Sequence, residues 1–229
     1  MSKKKRILIS TFSNIIIFLV LAGISLLTFN FNSQFVFSFN VPDVIYNGNK
    51  NNNNVTLMIN VYWGNEYIEP MLNTLKQYNV KTTFFVGGTW AEKFPDILKQ
   101  IYADGHEIGN HGYFHKNHKQ LSYDQNYEEI NITHKVVKSV LNIDMQLFAP
   151  PSGEYSKTTV SVAQDLGYKT IMWSRDTIDW RDKDADIIYS RATKNVKGGE
   201  LILMHPTQAT AAALPRILEF YKNNNLTAA

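Results

Sequence analysis

From residue 55 onward, the sequence alternates between short apolar or β-branched runs and longer stretches with the spacing of amphipathic helices. Residues 55–61 form the first apolar run, and apolar side chains recur every three or four positions in residues 67–78. This alternation is typical of a parallel sheet covered by helices, because parallel strands need long crossover connections. We therefore expect an α/β domain whose six or seven strand–helix units form a closed or nearly closed barrel. An open, doubly wound sheet is the alternative.

The same patterns predict the remaining elements. Strands are expected at 82–86, 107–108, 146–149, 170–173 and 201–204, and helices at 91–104, 122–141, 156–167, 184–196 and 209–221. Ser122 and Gln125 have the spacing of a capping box, which marks the start of the longest helix. The chain ends soon after the last predicted helix. We therefore expect the final barrel strand to be either missing or supplied by residues 34–46.

The first 31 residues have the pattern of a membrane-targeting segment. Basic residues at positions 3–6 precede the apolar run 15–27. We favour an uncleaved signal anchor over a cleaved signal peptide, because no clear small-residue cleavage site follows; a buried helix is the third alternative. Positive residues stay cytoplasmic, which predicts an extracytoplasmic, membrane-anchored or secreted bacterial domain. Residues 32–54 are Asn-rich and predict a linker, which leaves 55–229 as the catalytic-type domain.

The composition restricts the chemistry that the chain can perform. It contains no cysteine, which excludes disulfides, thiolate nucleophiles and cysteine metal sites. Any bound metal must therefore be held by His, Asp or Glu. The net charge is +3, and the basic residues at positions 3–6 more than account for it. The domain itself thus gives no reason to expect nucleic-acid binding.

Polar residues follow several of the predicted strands, and the carboxyl ends of barrel strands are where active sites form. Asn60 ends the first strand, Asp179 follows a later one, and His205 follows the last. His111 and His115 are four residues apart, so on a helix they would share one face and could bind one divalent cation. Each cluster taken singly has an ordinary structural explanation: a solvated His-rich loop, a turn, or a histidine at a strand end.

Taken together and in order, these motifs resemble the polysaccharide deacetylase (NodB-homology, carbohydrate esterase) family across residues 55–222. Four segments match the family signature: TFFV with Gly88, GHEIGNH at 105–111, the Trp and Asp residues of 173–180, and LILMH at 201–205. The resemblance implies a distorted (β/α)7-type barrel and a metal-dependent hydrolase that removes N-acetyl groups from N-acetylglucosamine polymers. It also implies an acetylated polysaccharide as partner, such as peptidoglycan or a chitin-like polymer, and a divalent metal as cofactor, most often Zn²⁺.

The resemblance also implies roles for individual residues. His111 and His115 match the metal ligands, and His205 matches the acid that protonates the leaving amine. Asp179 matches the carboxylate that tunes this acid. Three residues match the pocket that receives the acetyl group: Ser152, whose N–H matches the oxyanion donor, Trp180 and Leu203.

Three positions depart from the family pattern. Asn60 stands at the position of the general base, Val61 at that of the metal-binding Asp, and Ala149 at that of an Arg that pairs with the base. General-base catalysis is typically worth about 10²–10⁴-fold, so we expect weak activity at most. Three hypotheses remain: a slow deacetylase that recruits Glu66 or Asp176, an inactive glycan-binding relative, and an envelope protein that uses the fold as a scaffold.

Overall fold

The computed structural model describes residues 19–20 and 44–229. The chain divides into two compact units, Met1–Asn40 and Val41–Ala229. Of the predicted membrane segment only Leu19 and Val20 are described, and both are helical; the rest of that prediction lies outside the described residues. Among the described residues, none of the helices has both the length and the apolar character that crossing a membrane requires.

In residues 44–229, eight parallel strands form one curled sheet. In chain order they are β1 (Asn54–Val61), β2 (Thr83–Val86), β3 (Glu107–Asn110), β4 (Leu147–Phe148), β5 (Lys169–Thr170), β6 (Arg175–Asp176), β7 (Leu201–Met204) and β8 (Thr227–Ala228). Their order across the sheet is β5-β4-β3-β2-β1-β7-β6, and β8 pairs with the beginning of β1. The resulting half-barrel confirms the α/β barrel-type architecture.

Helices connect the strands in this part of the chain. They are α1 (Asn65–Gln77), α2 (Gly88–Lys93), α3 (Pro95–Ala103), α4 (Tyr123–Leu141), α5 (Lys157–Asp165), α6 (Ala185–Thr193) and α7 (Gln208–Asn223). The predicted capping box begins α4: the Ser122 hydroxyl accepts the N–H of Gln125, and the Gln125 side chain accepts the N–H of Ser122.

The single helix predicted at 91–104 is wrong, because the structure has two helices there. Pro95 lacks a backbone N–H and its ring disfavours helical backbone at Phe94. Thus α2 ends before Phe94, and Pro95 occupies the first turn of α3, where a proline is tolerated. The sequence patterns also missed β6 and β8, each of which has two residues.

Strand β1 separates two hydrophobic clusters. Its residues Leu57, Ile59 and Val61 belong to an outer cluster, in which they pack with helix side chains. Met58 belongs to an inner cluster, whose buried members are Met58, Phe85, Ala149, Ile171, Leu201 and Leu203. Side chains alternate across a strand. Asn60 therefore faces the inside of the half-barrel with Met58, while Val61 faces the helices.

Residues 45–48 join β5, an edge strand of the sheet, to the turn that precedes β7. The N–H of Ile45 donates to the Thr170 carbonyl at 3.0 Å, and the Ile45 carbonyl accepts the N–H of Met172 at 2.8 Å. Three residues later, the N–H of Gly48 donates to the Gly199 carbonyl at 2.7 Å, just before β7. Ile45 lies in the segment expected to replace a missing barrel strand, whereas 34–43 lie outside the described residues. We refer to residues 45–48 as the closing segment.

Candidate functional site

A cavity of about 380 Å³ opens where the carboxyl ends of the strands meet. Its wall combines polar side chains from strand ends with aromatic side chains from the loops that follow them. The lining residues are Asn60, Tyr62, Trp63, His111, His115, Ser152, Trp173, Asp176, Trp180, Leu203 and His205. The structure thus brings together most of the residues singled out from the sequence.

Two imidazoles lie side by side in the cavity. His111 follows β3 and is buried, and its Nδ1 lies 2.7 Å from the carbonyl oxygen of Ala149. This hydrogen bond makes Nδ1 the donor and leaves Nε2 with a free lone pair. The ring centres of His111 and His115 are 5.1 Å apart. Burial, and then the neighbouring His115, hold the pKa of His111 well below its usual range, so its imidazole is neutral near pH 7.

The segment that carries both histidines is a loop, so the helical arrangement considered for their spacing does not occur. Gly112 and His115 have φ values of 71° and 55°, which an α-helix cannot accommodate. The buried Glu129 of α4 fixes this loop, because its carboxylate accepts the N–H groups of Tyr113 at 3.0 Å and Phe114 at 2.8 Å. The two imidazoles therefore meet through a folded loop.

On the opposite side, a buried carboxylate holds His205. Asp179 Oδ1 lies 2.7 Å from His205 Nδ1, and Asp179 Oδ2 accepts the backbone N–H of His205 at 2.6 Å. The Thr210 hydroxyl of α7 donates to the same Oδ2 at 2.5 Å. Asp179 is completely buried. With Nδ1 bound, His205 presents Nε2 to the cavity, the geometry that the motif predicted for an acid.

The three altered positions differ in where they lie. Asn60 lines the cavity, is 3% exposed, and its Oδ1 has no hydrogen-bond partner among the described residues. Val61 packs in the outer cluster and Ala149 in the inner cluster. Within the described part of the chain, no three His, Cys, Asp or Glu side chains are grouped so that they could hold a metal ion. The residues present therefore do not fit a tightly held catalytic metal.

Of the described residues that line the cavity, Asp176 is the one carboxylate. It is half-buried, and burial raises its pKa. One of its oxygens accepts the N–H of Ile178 at 2.7 Å. Glu66, the other candidate for a recruited base, lies in the first turn of α1 and does not line the cavity.

The three residues predicted for the acetyl pocket all line the cavity. Ser152 lies in the turn Pro151–Gly153 with the left-handed angles φ 56° and ψ 13°. Leu203 is buried at the end of β7, and Trp180 is 53% exposed. Their roles stay predictions, but their positions suit a pocket with one apolar wall and one open aromatic wall.

Three aromatic side chains that line the cavity were given no role from the sequence: Tyr62, Trp63 and Trp173, of which Trp173 was matched only as part of the family signature. Tyr62 and Trp63 directly follow Val61, the last residue of β1. The sequence therefore contained a signal for Tyr62 and Trp63, because residues just beyond the carboxyl end of a barrel strand face the site. The indole of Trp63 lies parallel to the His205 ring, with 5.8 Å between ring centres and 7° between the planes.

The comparisons with known proteins agree with these motifs. A family model for polysaccharide deacetylase matches residues 47–171. The uncharacterized protein YlxY of Bacillus subtilis is 37% identical over 80% of the chain, and a peptidoglycan-N-acetylglucosamine deacetylase of Bacillus cereus is 35% identical over 67% of it. The chain spans 57% and 58% of the lengths of these two relatives.

Solved structures give the same picture. The Bacillus anthracis protein BA3943, described as a CE4 family pseudoenzyme, superposes with a TM-score of 0.80 at 37% identity, covering 82% of this chain and 66% of that one. A mutant of BA3943 described as having restored enzymatic activity also superposes with a TM-score of 0.80, at 36% identity over 82% of this chain and 69% of that one. The family model matches more than half of the length of this chain, and the chain therefore belongs to the polysaccharide deacetylase family.

Proposed function

We propose that the domain binds N-acetylated cell-envelope glycan in this cavity and deacetylates it weakly or not at all. The observation that carries the proposal is Asn60: a buried amide occupies the place of the expected base, inside a cavity that keeps the residues of an acetyl pocket. An amide cannot take a proton from water as a carboxylate does. Binding can therefore persist where hydrolysis is lost.

The chemistry of Asn60 favours a ligand that carries an amide. Its Oδ1 is a buried acceptor without a partner among the described residues, and leaving such a group unpaired costs about 1–3 kcal/mol. The N–H of an acetamido group would satisfy it. His205, fixed by Asp179, offers a further polar contact, and Leu203 offers an apolar wall for the acetyl methyl group.

The relatives support the choice of ligand. One acts on N-acetylglucosamine in peptidoglycan, and another is described as a pseudoenzyme. Peptidoglycan deacetylases work outside the cytoplasm, at the cell wall. The proposal places this domain there as well, held at the membrane by residues 1–31.

An NMR titration of the Trp180 indole tests the proposal. Tetra-N-acetylchitotetraose should shift the Trp180 signal in a saturable way, because the exposed indole lines the cavity. The fully deacetylated tetramer is the matched control and should cause a much smaller shift. A spectrum that does not change at tens of millimolar of the acetylated sugar would contradict glycan binding.

A second candidate function is slow deacetylation with Asp176 as the base. The observation that favours it is the position of Asp176 in the cavity, where burial raises its pKa toward the range useful for proton transfer. Under this hypothesis the wild-type protein releases acetate from chitooligomers, and Asp176→Asn abolishes that release. Acetate release that survives in Asp176→Asn would exclude this candidate.

We expect His111 and His115 to bind Zn²⁺ only weakly. Their rings are adjacent and His111 keeps a free Nε2, but the carboxylate that would complete the site is absent. Isothermal titration should give a dissociation constant of micromolar or weaker, and the heat should disappear in His111→Ala. His134→Ala is the control, since His134 lies on α4 and pairs with Asp144 outside the cavity. Equal heats for wild type and His111→Ala would contradict the expectation.

A further inference from the structure

The loop between β1 and α1 approaches the residues after β7 unusually closely. Gly64 has φ 80°, and a Cβ atom built on it would lie 1.9 Å from the carbonyl oxygen of Pro206. Any other residue would clash with backbone there, so glycine is required both by conformation and by space. The loop is thereby held directly against the segment that carries His205.

This contact places Trp63 over His205. The two rings are nearly parallel, 7° apart in plane, with centres separated by 5.8 Å. Asn65, at the start of α1, is also held in place, because its Oδ1 accepts the indole N–H of Trp90 at 2.6 Å. On the other side, the Tyr62 hydroxyl accepts a hydrogen bond from Thr89 at 3.0 Å. Trp63 is thus a pre-positioned side chain on an anchored loop.

An indole held in this way is nevertheless 44% exposed at the mouth of the cavity. With 5.8 Å between centres, the parallel indole and His205 rings are offset, so the 44% exposed area includes part of the flat apolar surface of the indole. Aromatic side chains provide large contact areas at low entropic cost when they are already fixed. The pyranose ring of β-linked N-acetylglucosamine carries its polar groups equatorially and presents C–H groups on its faces. Such a face matches the exposed indole.

We propose that Trp63 is a stacking platform for one pyranose ring of a β-linked N-acetylhexosamine oligomer and determines much of the affinity for it. This inference rests on the proposed function, because the ligand is the same glycan. It adds a residue to which the motifs matched in the sequence assign no role. Asn60 and Leu203 would contact the acetamido group, whereas Trp63 would contact the ring.

Isothermal titration of the full-length chain with tetra-N-acetylchitotetraose tests the inference. We expect Trp63→Ala to weaken binding about tenfold and Trp63→Phe to retain most of the affinity. Trp63→Leu distinguishes stacking on the sugar ring from apolar packing against His205. Leucine keeps an apolar side chain beside His205 but has no flat face, so this variant should weaken binding as much as Trp63→Ala. Tyr102→Ala is the matched control, because Tyr102 is equally exposed at 44% but lies on α3, outside the cavity.

The outcomes separate the inference from the proposed function. Binding by wild type that is unchanged in Trp63→Ala, or fully retained in Trp63→Leu, would overturn the platform and leave glycan binding intact. No binding by wild type would overturn both. Thermal unfolding of each variant is the control for folding. Replacing an exposed residue should leave the unfolding temperature close to that of wild type, and a smaller binding heat then reflects a lost contact with the sugar.

Discussion

The triple variant Asn60→Asp, Val61→Asp, Ala149→Arg should gain deacetylase activity far beyond the combined gains of its single substitutions. In the family pattern these positions carry the base, a metal ligand and the cation that pairs with the base. Because Val61 packs in the outer cluster, an aspartate there must turn from the helices toward the cavity to bind the metal. Groups that act as one unit are strongly non-additive. We expect the triple variant to exceed the sum of the single gains by at least about tenfold in kcat/KM, which corresponds to about 1.4 kcal/mol of coupling. The measurement is acetate release from acetylated chitooligomers with Zn²⁺ present.

Each single substitution should fail for its own physical reason. A carboxylate at Asn60 would be nearly buried and without a cation, so it would resist ionising. A carboxylate at Val61 would enter the apolar outer cluster, and Val61→Asp should therefore lower the free energy of unfolding as well. Arginine at Ala149 would bury an unpaired charge in the inner cluster. Urea unfolding of the three single variants checks these costs.

Two outcomes would contradict this account. One is a triple variant no more active than the best single variant. The other is a wild-type protein that already deacetylates and loses this activity in Asp176→Asn, which would support the recruited carboxylate instead. Restored enzymatic activity is described for a mutant of BA3943, a pseudoenzyme whose structure superposes on this chain.

Asp179→Ala should destabilise the protein by about 3–5 kcal/mol, whether or not the protein is catalytic, because it removes one partner of a buried charged network. Asp179 is completely buried and accepts three hydrogen bonds, two from His205 and one from Thr210. These bonds join the loop after β6 to the end of β7 and the first turn of α7. A structural role of this size would account for the presence of the Asp179–His205 pair beside Asn60.

The measurement is the urea-unfolding free energy of Asp179→Ala beside that of Asp186→Asn. Asp186 pairs with Arg216, but the Asp186 side chain is 80% exposed. Loss of this ion pair should therefore cost less than about 1 kcal/mol. Asp179→Asn keeps the shape and one acceptor oxygen, and we expect an intermediate loss. A cost for Asp179→Ala no larger than that for Asp186→Asn would show that the network is not structural.

The sequence predicted long, strongly periodic elements better than short ones. Strand β1 and helix α4 were placed within a residue or so, because eight and nineteen residues give clear patterns and the capping box marks a helix start. Helices α2 and α3 were merged, since the apolar spacing continues across Pro95. The sequence also did not show on which face of the sheet the Val61 side chain lies. Leu57 to Ile59 are all apolar, and the alternation along a strand is visible only when the two faces of the sheet differ in polarity.

The order of the motifs predicted which residues form the site, but not which tertiary contacts hold these residues in place. Glu129 lies in the middle of α4, where the sequence offers no sign that its carboxylate binds the histidine loop. Trp63 is placed by the contact between Gly64 and Pro206, residues separated by most of the domain. Such tertiary contacts decide loop geometry, and local patterns do not encode them.

The closing segment has a consequence for how the domain behaves when it is cut. Ile45 pairs with β5, which is an edge strand of the sheet, and Gly48 binds the Gly199 carbonyl just before β7. A fragment that begins at Val55, where the apolar pattern starts, would leave the edge of β5 open and the Gly199 carbonyl without this partner. Open edges recruit strands from other molecules. The same half-barrel would then be prone to self-association, so the shortest well-behaved fragment should begin before Val44.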